Sequence, residues 1–208
     1  MTELRVYLPI EDLQPQFAAY LSSSTRGRGY PPFAGQNSLI VEVAPALAIH
    51  RITDLALKSA PDMEPGILYT ERQFGLMELH SSSLSELSDA GRAILDGIGA
   101  RAEQQLKPQI LYHDIIENLS DQHAVILNRS REGSILVPGV ALLIYEMAPA
   151  LFACVAANEA ERASPNAVIN DVQMMGATGR VFMSGTLAEM QLARDTITRK
   201  LGSLQGRS

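Results

Sequence analysis

The residues able to carry chemistry in this chain are few. The four histidines, His50, His80, His113 and His123, fall into no HExxH pattern and no Cys/His cluster, so no metal site is expected. Cys154 stands alone inside the apolar run ALFACVAANEA and reads as a small packed thiol. There is no GxSxG serine elbow and no GxxxxGK[ST] phosphate loop. The stretch TRGRGYPPFAG (25–35) offers Arg26 and Arg28 as anion contacts, with a surface loop as the plainer reading. Glu42 and Glu146 are a candidate catalytic pair. The alternative we prefer is a structural one, each accepting backbone N–H bonds near a helix start. Adjacent acid and base at Glu71 and Arg72 complete the set. No catalytic residue and no cofactor follow from this inventory.

The elements that hold these residues come in duplicate. VEVAPALA at 41–48 returns as YEMAPALF at 145–152. A slide of 104 pairs Glu42 with Glu146, Pro45 with Pro149, Leu47 with Leu151, Pro61 with Pro165 and Gly75 with Gly179. A slide of 106 pairs Ile10, Glu11 and Leu13 with Ile116, Glu117 and Leu119. Repeats in this order mean two copies of one unit, expected at 1–104 and 105–208. The 46% hydrophobic content supports a real core, and a net charge of −6 leaves no basic footprint for nucleic acid. No apolar run is long enough to span a membrane, and the N-terminal segment has no signal-peptide pattern.

Each copy reads as the same α/β (α+β) set. Strands are expected at 4–10, 38–44, 67–72 and 74–80, from β-branched and apolar runs. Helical segments are expected at 12–21, at 45–60 with Pro45 in its first turn, and from Leu84 behind a Ser83/Glu86 capping box. The second copy repeats these at 110–116, 118–128, 140–148, 149–164, 168–175, 180–184 and 186–201. The copies differ most usefully between the third and fourth strands. There Glu71 aligns with Met175 and Arg72 with Gly176. One copy has an acid and a base, the other an apolar residue and a bare glycine. An exposed ion pair worth about 0–1 kcal/mol is the plain reading of Glu71 and Arg72.

The phrases EVAPALAIHRITDLALKSAP, ERQFGLMELH and EMAPALFACVAANEAERASP resemble bacterial microcompartment shell proteins. The resemblance is to the tandem-domain, circularly permuted members found in carboxysomes and related compartments, and it covers about residues 3–202. It implies two permuted domains with a ferredoxin-like sheet and packed helices. It implies a homotrimer forming a pseudohexameric tile in the shell, two trimers stacking face to face, and hexameric and pentameric shell proteins as neighbours. It also implies a wide central pore for passive passage of metabolite anions such as sugar phosphates. The gate would be Glu71 and Arg72, with Gly75, Met175 and Gly176 shaping the opening. Lys58 matches a tile-edge lysine, and the second copy departs from that pattern with Arg162. The carboxysome is the favoured compartment. A shell tile of a catabolic compartment, a trimeric ligand sensor, an enzyme and a tile with a plugged pore remain alternatives.

Overall fold

In the computed structural model, residues 2–23 and 29–208 are described, so the expected anion contacts Arg26 and Arg28 lie outside the described residues. The chain divides into two compact units, Met1–Lys107 together with Gln205–Ser208, and Pro108–Leu204. The first runs β1 (Glu3–Ile10), α1 (Pro15–Leu21), β2 (Asn37–Ala44), α2 (Ala48–Ser59), β3 (Glu64–Thr70), β4 (Gly75–Ser81) and α3 (Leu84–Ile98). The second runs β5 (Gln109–Ile116), α4 (Asp121–Asn128), β6 (Ala141–Ala148), α5 (Phe152–Ala163), β7 (Val168–Gln173), β8 (Gly179–Gly185) and α6 (Leu187–Ser203).

Each unit holds one antiparallel four-stranded sheet, ordered β1-β2-β4-β3 in the first and β5-β6-β8-β7 in the second. The duplication extends to the bulges, at Leu4/Val6 and Ile110/Tyr112 on one edge and at Pro65/Ile67 and Ile169/Asp171 on the other. β2 is central, and seven of its eight residues are buried, which is why SLIVEVA lacks polar alternation. Its Leu39, Val41 and Val43 join Met77 and Leu79 of β4 in a core with Ile49, Ile52, Ala56, Ala90 and Ile94 of α2 and α3. Side chains alternate along a strand, so Ser38, Ile40, Glu42, Leu76, Glu78 and His80 face the other way.

Two local expectations need correcting. The helices expected from Pro45 and Pro149 begin at Ala48 and Phe152. Both prolines follow cis peptides, and a turn intervenes in which Ala48 N donates to Pro45 O at 3.0 Å. Only half of the Ser83 capping box forms: Ser83 Oγ accepts from Glu86 N, but Glu86 Oε2 takes Asp62 N instead. The full box appears at Thr186 and Glu189. The two units also end their last helices differently: α3 stops at Gly99 in the left-handed conformation (φ 68°), whereas α6 runs through the aligned Gly202 to Ser203.

Candidate functional site

Glu71, Arg72, Gln73 and Phe74 form the β3–β4 connection, closed by Glu71 N donating to Phe74 O at 2.7 Å. Glu71 is half-buried, while Arg72 and Gln73 are exposed. Among the described residues Glu71 and Arg72 form no ion pair with each other, so the plain reading of a local surface pair does not hold. The next residue, Gly75, does not have a positive φ, so unusual dihedrals are not its purpose. A Cβ there would lie 2.2 Å from Ala46 O and 2.6 Å from Ile49 Cβ, so close packing against the start of α2 requires glycine.

The root of this loop is held by Glu42 together with two side chains the sequence reading did not single out, Arg5 and Phe74. Arg5 Nε on β1 donates to Glu42 Oε1 on β2 at 2.8 Å. The same guanidinium lies over the Phe74 ring, 3.6 Å from its centroid. Such a contact contributes about 0.5–1 kcal/mol when exposed and about 2 kcal/mol when desolvated. Burial pushes the Glu42 carboxyl above its ordinary range, Arg5 pulls it down, and the nearby charge of Glu71 pushes it up. Beside this cluster is an open hollow of about 580 Å³, bordered by Arg5, Pro45, Arg72, Gln73 and Phe74.

The β7–β8 connection has another construction. The last paired residues are Gln173 and Arg180, so this hairpin opens one pair earlier than its counterpart, which closes at Thr70 and Gly75. Met175 and Gly176 are half-buried, and Gly176 has a φ of 110°, a conformation that side chains oppose. Arg180 brackets the loop, donating to Glu146 at 3.0 Å and to Gln173 at 2.9 Å. Thr178 Oγ1 also donates to Glu146 at 2.8 Å. That bond holds the Glu146 carboxyl below its ordinary range, with help from Arg180 and against partial burial. Glu42 and Glu146 are therefore structural acceptors, as preferred from sequence, but their donors are side chains rather than helix-start amides.

A further set of polar groups lies inside the first unit. Ser38 Oγ donates to Glu78 Oε1 at 2.6 Å, and Glu78 Oε2 lies 3.2 Å from His80 Nδ1. All three are buried. Their aligned residues in the second unit are Leu142, Phe182 and Ser184, and there Leu142 and Phe182 pack with Leu119, Ala124 and Leu136. The aligned copies carried this signal, as they did for Arg5 against Leu111 and Leu76 against Arg180.

Lys58 and Arg162 occupy the last turns of α2 and α5. Lys58 is held by Asp54 at 2.6 Å, and Arg162 lies 3.9 Å from Glu159.

Residues 4–104 match the family described as the CsoS1D N-terminal domain. The whole chain is 38% identical over 207 residues to the carboxysome shell protein CcmP of Synechococcus elongatus, covering 99% of this chain and 94% of that one. The chain belongs to the bacterial microcompartment shell proteins. Another relative in this shell-protein family is the carboxysome shell protein CsoS1D of Hydrogenovibrio crunogenus, 36% identical with both chains fully covered. Two solved shell-protein structures from the RMM microcompartment superpose closely. One is a double-ringed trimeric shell protein, with a TM-score of 0.95 and 57% identity over 100% of this chain and 99% of that one. The other is a fused permuted hexameric shell protein, with a TM-score of 0.93 and 42% identity over 99% of this chain and 100% of that one. The two units are thus tandem shell-protein domains, and the function is that of a shell protein, not an enzyme.

Proposed function

We propose that three copies of this chain form a pseudohexameric tile of a microcompartment shell, with the Glu71–Arg72 loops gathered round the threefold axis as the gate of a wide pore. The observation that carries this is the whole-chain likeness, at 57% identity, to a double-ringed trimeric shell protein. The gate has a simple electrostatic basis. Neither Glu71 nor Arg72 is tied to the other within its own chain, so both are available to neighbouring copies. Alternating acids and bases attract, by about 4 kcal/mol for a pair 4 Å apart at an effective dielectric of about 20, whereas a ring of like charges repels. Rotating the loops away leaves a hole. Met175 and Gly176 supply the other half of its rim, where small side chains keep it wide.

The same reading places two trimers face to face, as the double ring of that relative supports. It places Lys58 and Arg162 at tile edges that meet hexameric and pentameric shell proteins. Transport is passive passage of metabolite anions such as sugar phosphates. The kind of compartment has two readings. The curated relatives named here are carboxysome proteins at 36–38% identity, while the RMM structures are at 42–57%. The higher identity favours a compartment of the RMM kind, and the carboxysome is the alternative.

Electron microscopy of the assembled protein, with and without a sugar phosphate, tests the gate. The expected result is three Glu71 and three Arg72 around one axis, with two loop positions among the particles. Loops remote from any symmetry axis would overturn it.

A further inference from the structure

We infer that Arg5 is a positioning residue for the gate loop: anchored to Glu42, its guanidinium holds Phe74 and so fixes Glu71 and Arg72 in the position described. This inference rests on the gate reading for its purpose, but the contact itself does not. Phe74 is the last loop residue, and its carbonyl accepts from Glu71 N, so displacing Phe74 displaces Glu71. The loop cannot move from its other side. Gly75 has no room even for a Cβ against Ala46 O and Ile49, and it pairs with Thr70 across the hairpin. Motion is therefore confined to 71–74, and the ring-on-guanidinium contact at 3.6 Å is what opposes it. Arg5 itself stays in place because Glu42, 3% exposed, keeps it at 2.8 Å.

The second unit shows what a fully tied loop looks like. Leu111 stands where Arg5 would be and Thr178 where Phe74 would be. Thr178 and Arg180 instead tie that loop to Glu146 and Gln173 by directional hydrogen bonds. One stack holds the β3–β4 loop where three directional side-chain bonds hold the β7–β8 loop, so fewer contacts must be given up to release the first. The geometry thus makes the β3–β4 loop the releasable one, with Phe74 leaving Arg5 while the Arg5–Glu42 pair persists.

The test uses the full assembled chain with a nitroxide on Gln73→Cys. Gln73 is exposed, and the native Cys154 is fully buried, so labelling is selective. Distances between labels on the three copies report where the loops stand. The continuous-wave line shape reports local loop mobility. Arg5→Lys keeps the charge on Glu42 but loses the planar stack, and Phe74→Leu keeps apolar bulk but loses the ring. Each is expected to shift the ratio of loop positions by about tenfold away from the described one, and the double variant to add nothing further. Phe74→Leu carries the test alone should Arg5→Lys fail to assemble. Unchanged distances and line shape in Phe74→Leu overturn the inference. Long inter-copy distances with a line shape that still responds would instead remove the gate and leave the Arg5 contact standing.

Discussion

Arg5 and Arg180 neutralise equivalent carboxylates from opposite flanks of equivalent strands. Arg5 reaches Glu42 from β1, and Arg180 reaches Glu146 from β8, which pairs with β6 on its other side. Glu42 lies directly across from Leu76, as Glu146 lies across from Arg180. The position of the acid persisted in both copies while the position of its base exchanged.

That exchange is testable by transplantation. Arg5→Leu leaves the buried Glu42 without its cation and is expected to cost about 3 kcal/mol. Adding Leu76→Arg recreates the arrangement of the second unit and should restore more than half of the loss. Denaturant midpoints of the single and double variants decide it. A double variant less stable than Arg5→Leu would show that the two flanks are not equivalent.

Acid should act through Glu146. Its folded pKa lies below the ordinary 4.5, so its contribution is fully present above that value and disappears as pH falls through the folded pKa. The stability gap between the native protein and Glu146→Gln is expected to be widest near pH 7 and to shrink below about pH 4.5. Thermal melts between pH 3 and 7 measure it. A gap independent of pH contradicts the assignment.

Three glycines should respond differently to alanine. Gly75→Ala drives a Cβ into Ala46 O and Ile49, for an expected cost of about 1–3 kcal/mol. Gly176→Ala meets open space but a φ of 110°, for a cost of about 1–2 kcal/mol. Gly202→Ala, inside α6 with nothing within 4 Å, should stabilise by about 0.5–1 kcal/mol. Melting temperatures of the three variants give the order, and a stabilising Gly75→Ala would refute the packing account.

The buried Ser38–Glu78–His80 set should behave as a unit. Glu78→Leu removes the partner of two buried polar groups and is expected to cost about 1–3 kcal/mol. Combining it with Ser38→Leu and His80→Ser, which leaves two apolar residues and a serine as in the second unit, should be less damaging than the sum of the single changes. Additive losses would show that the three act independently.

How far the sequence could lead depended on the range of each interaction. Element order was readable because strands and helices leave periods of two and 3.6 in the chain, and duplication made each assignment twice over. The start of α2 was misplaced because a proline in a preceding turn and one in a first helical turn look alike in AP-A-L-A. The Arg5–Glu42–Phe74 contact joins three strands' worth of chain, and nothing local marks it. It becomes visible only once the register places Val6 beside Glu42 and Glu42 beside Leu76. Glu71 and Arg72 stood out for a different reason: they are where two copies of one unit stopped agreeing.

The first unit contains Gln205–Ser208. Arg207 N donates to Gln105 O, its own carbonyl accepts from Lys107 N, and its side chain reaches Glu3 and the carbonyl of Gln104. During synthesis, then, the half of the protein that leaves the ribosome first is the half that is finished last. Its edge strand β1 waits for a peptide made after the whole second half has emerged. Removing residues 205–208 would accordingly disturb the beginning of the chain rather than the domain they follow.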